Sequence, residues 1–311
     1  MDAVQFAAFL SASVRMATPL LIAALGLSIS ERAGLVNIGV EGIMLMAAFG
    51  AYLGAKLSGS YWIGLTTGVA AAVLTITIFA VTTIRYRAYQ IIIGAALNIF
   101  CAGLSSFLYR RIFYGTGILD EGIAAVTFPA LEIPLLSAIP FIGPMLFSHN
   151  ILVYFGFLMV ILLWVIIKKT SLGLKIIAVG DHPHAADSVG INVIRVRFGA
   201  VLFSGAMIGV AGSFLSIAQA ASFGENMTSG RGFIAMAVVI LGKWNPLGVF
   251  LGAMLFGGAS ALQMLFQVSG VDVPRNIIMM VPYIATVIAV LAVSRNKVGA
   301  PRALGVPYEK S

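Results

Sequence analysis

What most constrains this chain is a succession of apolar runs, each about as long as a helix needs to cross a bilayer. They are residues 6–29, 34–55, 61–84, 88–108, 151–167, 198–219, 247–266 and 277–293. In hydrocarbon every backbone N–H and C=O must find its partner inside the protein, which leaves helices and closed barrels as the spanning structures. Runs this long and continuous suit helices. Composition agrees: the 311 residues are 60% hydrophobic and only 10% charged, with mean hydropathy +1.04, against about 25% charged in a soluble domain. The expectation is an all-α, polytopic transmembrane bundle of about 8 full spans. A ninth apolar stretch, 232–242, is too short to cross by itself and predicts a short or broken helix.

Between the runs, two segments stand out. Residues 109–150 carry Pro129, Pro134, Pro140 and Pro144 with Asp120, Glu121 and Glu132; four prolines preclude one continuous helix, so this is read as an external loop. Residues 168–197 form a polar island holding Lys168, Lys169, Lys175, Arg195 and Arg197. Its centre predicts a very short helix, capped by Asp181 or His182, with Pro183 in the first turn and Gly190 as the stop. Two turns are marginal in water, so such a helix requires a surface to dock on.

Charge sets an expected orientation. With the 168–197 segment inside and spans alternating from it, the inner side collects Arg32, Arg85, Arg87, the five residues above, Lys243, Arg295, Lys297, Arg302 and Lys310. The outer side collects Lys56, Arg110, Arg111, Arg231 and Arg275, and Arg15 falls within the membrane, where it can snorkel outward. This predicts an external N-terminus, an internal C-terminus and a cytoplasmic tail over 294–311. The net charge of +8 sits at the ends of apolar runs, a pattern that fits anionic lipid rather than nucleic acid. No basic leader followed by a short apolar core and cleavage site is visible, so no removable signal is expected. Cys101, the single cysteine, reads as a small core residue.

Few residues can carry chemistry. Glu41 is a carboxylate within an apolar run, costing about 2.5–3.5 kcal/mol unless it faces a cavity or partner, and Asn37 precedes it by one turn on the same face. They read either as a polar element on a solute path or as groups satisfying backbone at a broken helix near the inner interface. Asn98 reads as an interhelical hydrogen bonder. Gln219, Glu225, Asn226 and Arg231 surround the outer end of the short helix, as the mouth of a pathway or as a solvated loop. His182 and His184 are too few for a metal site, and Asn226–Thr228 matches a glycosylation sequon, a pattern common by chance. No G-x-x-x-x-G-K-[ST] is present, so P-loop ATP hydrolysis is not expected on this chain; neither a cofactor nor catalytic residues are expected.

Three ordered motifs resemble one family. Thr170, Gly173, Ala178, Gly180, Ala185, Ala186, Gly190 and Ile191 fit the T-x-x-G-x-x-x-x-A-x-G segment, alanine pair and Gly-Ile of permeases from ATP-binding-cassette (ABC) importers. The family serves branched-chain amino acids, ribose-type sugars and nucleosides. Residues 17–52, with the NIGVEG form at 37–42, are similar to the first two spans of its simple-sugar and nucleoside branch, and residues 230–263 resemble its second broken-helix region. Lys243-Trp244 departs from the small residues many relatives carry. The resemblance implies a bacterial cytoplasmic-membrane permease that pairs with an identical or paralogous permease. It also implies a cytoplasmic ATPase and an external solute-binding protein as partners. Gly180, Asp181, His182, Pro183, Ala185, Ala186, Gly190 and Ile191 would then form the element that couples to the ATPase, with Asn37, Glu41, Asn98 and Gln219 on the translocation pathway. A gradient-driven transporter using Glu41 as its coupling carboxylate is the alternative, as is a branched-chain amino acid permease of the same family.

Overall fold

A computed structural model describes residues 3–114, 127–132, 147–268, 280, 284 and 299–309. Ten helices run through these residues: α1 Ala3–Arg32, α2 Val40–Ser58, α3 Tyr61–Ala80, α4 Gln90–Tyr109, α5 Ile151–Lys169, α6 Ser171–Asp181, α7 Pro183–Ser188, α8 Val193–Ser213, α9 Arg231–Leu241 and α10 Pro246–Val268. Wide π-turns extend three of them: Val81–Arg85 after α3, Arg110–Tyr114 after α4 and Phe214–Ala220 after α8. Among the described residues, seven helices are long and apolar enough to cross a membrane. The expected span over 277–293 lies outside the described residues. The expected short helix is α9.

Helices α1 and α8 form the centre. α1 packs on α8, α9, α10 and α5, while α8 also packs on α2 and α3. Lipid is as apolar as leucine, so association here rests on close fit rather than on the hydrophobic effect. Small residues permit that fit: a Cβ on Gly209 would lie 2.8 Å from the Val69 Cα, and one on Gly212 would strike the Met44 carbonyl. Helix α4 is the opposite case, with Ile91, Ile92, Ile99, Phe100 and Phe107 exposed along a face suited to lipid tails.

The structure departs from the sequence reading at three places. The second apolar run does not begin as helix: residues 34–39 are non-helical, and α2 starts only at Val40. The 168–197 segment is not a loop, because Thr170 caps an eleven-residue α6 by accepting from the Gly173 N–H at 3.3 Å. And Arg197, placed with the water-facing bases, is 3% exposed. Within 109–150, the described residues contain one antiparallel pair, β1 Ala130–Glu132 with β2 Ser148–Asn150, in register Leu131 to His149. Asn150 then caps α5 through the Val153 N–H.

Candidate functional site: two broken helices, a cavity and a platform at one end of the bundle

Two breaks meet inside the bundle. The first is the extended run into α2. Its backbone groups have no helical partners, and α4 supplies them: Gln90 accepts from the Val36 N–H at 2.7 Å, and Asn98 donates to the Ile38 carbonyl and accepts from the Gly42 N–H, both at 2.8 Å. Asn37 accepts from the Gly39 N–H at 2.9 Å, a local Asx turn. Asn98 lies eight residues beyond the start of α4, about 12 Å along it at 1.5 Å per residue. The break therefore lies along the first turns of α4, from Gln90 to Asn98.

The second break is the N-terminus of α9, whose first N–H groups have no intrahelical acceptors. Glu41 provides both that are needed. One oxygen accepts from the Gly230 N–H at 2.7 Å and the other from the Gly232 N–H at 2.6 Å. The carboxylate thus caps α9 from another helix, where an anion is favoured by the helix dipole. Gly232 is required by this closeness, since a Cβ there would sit 2.7 Å from the Glu41 Cα. From Glu41, the eleven residues of α9 reach about 16 Å, to the end of the bundle. There a second acid holds it: Glu31 accepts from the Trp244 indole at 2.6 Å, and Arg32 donates to the Trp244 carbonyl at 2.7 Å. Lys243 and Trp244 both have φ of 55°, an uncommon conformation for non-glycine residues that these contacts hold in place. The half-helix is tethered at both ends to the chain around the α1–α2 connection.

Beside the α9 N-terminus opens a cavity of about 430 Å³, lined by Arg15, Met16, Leu215, Gln219, Ala220, Met227, Arg231 and Met264. Arg231 donates to the Met227 carbonyl at 2.8 Å, and Gln219 to the Met16 sulfur at 3.2 Å. The Gln219 Oε1 is buried with no partner among the described residues. Arg231, read from the sequence as the mouth of a pathway or part of a solvated loop, is half-buried and lines this cavity. Between the end of α8 and α9, Glu225 takes a forked bond from Arg110 at 2.7 and 2.8 Å; this hydrogen-bonded pairing holds the Glu225 carboxyl below the usual range. Thr228 is fully buried, so the sequon at Asn226 has its hydroxyl turned away from solvent.

A platform at one end of the bundle is built by α6, α7 and residues 299–309. His182 precedes α7, Pro183 opens it and Gly190, with φ of 84°, follows it, as the sequence predicts. Ala186 packs into a small cluster with Val179, Val193 and Tyr308, while Ala185, Ser188, Val189 and Gly190 are exposed, Val189 to 75%. Gly180 lies so close to Arg32 that a Cβ would strike its carbonyl oxygen. Residues 299–309 strap this assembly together. Ala303 donates to the Gly180 carbonyl at 2.9 Å, Gly305 to the Gly34 carbonyl at 3.0 Å, and Arg197 to the Val306 carbonyl at 3.1 Å. Arg302 meets Asp181 and His182, Tyr308 lies against the His184 ring at 5.3 Å, and Glu309 pairs with Arg87 at 2.6 Å.

Of the residues expected on a pathway, then, Asn37, Glu41 and Asn98 are drawn together around the two breaks, and Gln219 alone opens on the cavity. In the sequence Arg15 reads as a snorkelling residue, and Arg231 as the mouth of a pathway or part of a solvated loop. The one signal for their convergence was that both are cations next to apolar runs.

Residues 9–291 match the family described as branched-chain amino acid transport system / permease component. A nucleoside ABC transporter permease protein of Lactococcus lactis subsp. cremoris is 37% identical, covering 94% of each chain. A guanosine ABC transporter permease protein of Bacillus subtilis is also 37% identical, over 100% of this chain and 99% of that one. A glucose ABC transporter permease protein of Haloferax volcanii is 26% identical over 81% of this chain and 69% of its own. A metal-chelate-type ABC transporter, solved in an inward-facing conformation, shares the fold with TM-score 0.53 and 15% identity, over 91% of this chain and 85% of that chain. Multi-pass helices, paired helix breaks and a match along nearly the whole sequence agree: the chain belongs to the permease-component family of ABC transport systems.

Proposed function

We propose that this permease is the membrane subunit of an ATP-driven importer for nucleosides or simple sugars, pairing with a second permease to enclose the pathway. An external solute-binding protein delivers the solute, and a cytoplasmic ATPase seats the segment Gly180–Ile191. The N-terminus then lies outside and the C-terminus inside. The observation that carries this reading is α7. A two-turn helix with Val189 exposed to 75%, held at the same end of the bundle as Arg32, Lys243 and the tail, presents a face without a partner in one chain. The nucleoside and sugar names of the relatives support the solute class. In this reading Asn37, Glu41 and Asn98 serve the pathway as its pivot, and Gln219 faces the solute.

The test is uptake in proteoliposomes holding the permease with its ATPase and binding protein. ATP-dependent uptake, lost in Val189→Asp while the complex stays monodisperse, is expected. The gradient-driven alternative predicts uptake by this chain alone under a pH gradient, lost in Glu41→Gln. It is the weaker reading, because both Glu41 oxygens are already engaged by Gly230 and Gly232.

A further inference from the structure

One face of α5 carries more than a lipid-facing helix needs. Leu158, Ile161, Leu162 and Val165 are exposed, at the i, i+3, i+4 and i+7 spacing that lines a single face. That face continues into Lys168 and Lys169, both exposed. The chain then turns at Thr170 and α6 begins. Gly173 keeps α6 against the last turn of α5, where a Cβ would strike the Ile166 carbonyl oxygen and lie 2.5 Å from the Ile167 Cα. On the outer side of α6, Leu172 is 60% and Leu174 68% exposed. At about 100° per residue, the exposed Lys175 lies between them around the helix. The acid of α6, Asp181, is at its other end and accepts from the Arg302 backbone N–H at 3.4 Å.

We infer that the corner between α5 and α6 is a site for one anionic phospholipid, its acyl chains along α5 and its phosphate among Lys168, Lys169 and Lys175. This rests on the membrane spans alone and is independent of the solute and of the ATPase. A lysine cluster facing water has no use for two exposed leucines beside it. An apolar face in lipid has no use for three ammonium groups. An amphiphile with a negative head meets both, because lysine stems cover apolar surface while their ends reach the phosphate. Lysine suits such a head as a flexible point charge that follows it without a fixed geometry. Leu172 and Leu174 hold the first turns of α6 at the headgroup boundary, as in helices that lie in an interface with basic and apolar residues side by side. Only His182 separates α6 from α7, so the bound lipid braces the platform from the membrane side.

The test is native mass spectrometry of the full-length permease in detergent, offered equal amounts of phosphatidylglycerol and phosphatidylcholine with identical chains. Each lysine at the headgroup favours the anionic lipid about fivefold, so wild type should retain phosphatidylglycerol in clear preference. Lys168→Gln with Lys169→Gln should lower that preference roughly tenfold or more, and Lys168→Arg with Lys169→Arg should keep it. Lys56→Gln with Arg85→Gln removes the same charge from the ends of α2 and of the turn after α3 and should leave the preference unchanged. Equal losses in the two glutamine pairs, or no loss in either, overturn the site in favour of diffuse charge. Should the Lys168 pair fail to fold, Lys175→Gln reads the same loss at about fivefold. Glycerol 1-phosphate, a head without chains, should not displace the lipid; full displacement overturns the inference in favour of a soluble anion. Leu172→Asn with Leu174→Asn should weaken retention. Retention unchanged in that pair while ATPase binding is lost would make this face an ATPase contact and overturn the inference.

Discussion

The Glu41 carboxylate accepts from the Gly232 N–H at 2.6 Å while its other oxygen takes the Gly230 N–H, so one acidic side chain on α2 sets the position of α9. Removing it leaves two N–H groups unsatisfied inside the bundle, at roughly 1–3 kcal/mol each. Glu41→Ala should therefore lower the melting temperature of the detergent-solubilised protein markedly. Glu41→Gln, which keeps one acceptor oxygen, should fall between it and wild type. Gly232→Ala should resemble Glu41→Ala, because its Cβ meets backbone rather than a movable side chain. A Glu41→Ala variant as stable as wild type would remove the capping role.

At the other end of α9, Trp244→Phe keeps the ring and deletes the indole donor to Glu31. The buried acid then loses its partner, at about 1–3 kcal/mol. Thermal unfolding should detect the loss, and Glu31→Gln in the same background should recover part of it. Failure of that double variant to recover any stability would place the Trp244 effect in packing alone.

Ala186 and Val189 separate folding from coupling on the same short helix. Ala186 is 3% exposed and sits in the cluster with Tyr308, so Ala186→Glu should damage the platform itself and lower stability. Val189 touches little of its own chain, so Val189→Asp should leave the melting temperature within about 0.5 kcal/mol equivalent while uptake falls. Gly180→Ala should behave as Ala186→Glu does, since its Cβ strikes the Arg32 carbonyl.

The strap offers a contrast in magnitude. Arg87 and Glu309 form a close pair, but their side chains are 48% and 70% exposed, and such pairs contribute about 0–1 kcal/mol. Glu309→Ala should be nearly silent in uptake and stability. Deleting residues 302–309 removes the bonds to Gly180, Gly34 and Arg197 together and should reduce coupled uptake severalfold. A silent deletion would show that the strap carries no coupling.

Much of this arrangement is legible in the sequence, and the illegible part has a common cause. The spans follow from continuous apolar runs, and α7 follows from Pro183 and Gly190 because those residues act locally on φ. α6 is missed because its lysine and its two glycines read as loop, while the Thr170 cap that starts it is a single hydroxyl. The partner of Glu41 lies 189 residues away, and no pattern in the chain names it; the residue type announces only that a partner is needed. That Arg231 lines a cavity is illegible for a related reason. A polar segment after a span reads as surface unless something shows that it folds back.

The strap also has a consequence for how the protein is made. Arg302 meets Asp181 across 121 positions of sequence, so the platform cannot close until the ribosome has delivered everything between them. During that interval Gly34, Gly180 and Arg197 lack their final partners, and α7 has no Tyr308 behind it. A chain stalled or cut before residue 302 would insert its spans yet leave this end of the bundle unfinished.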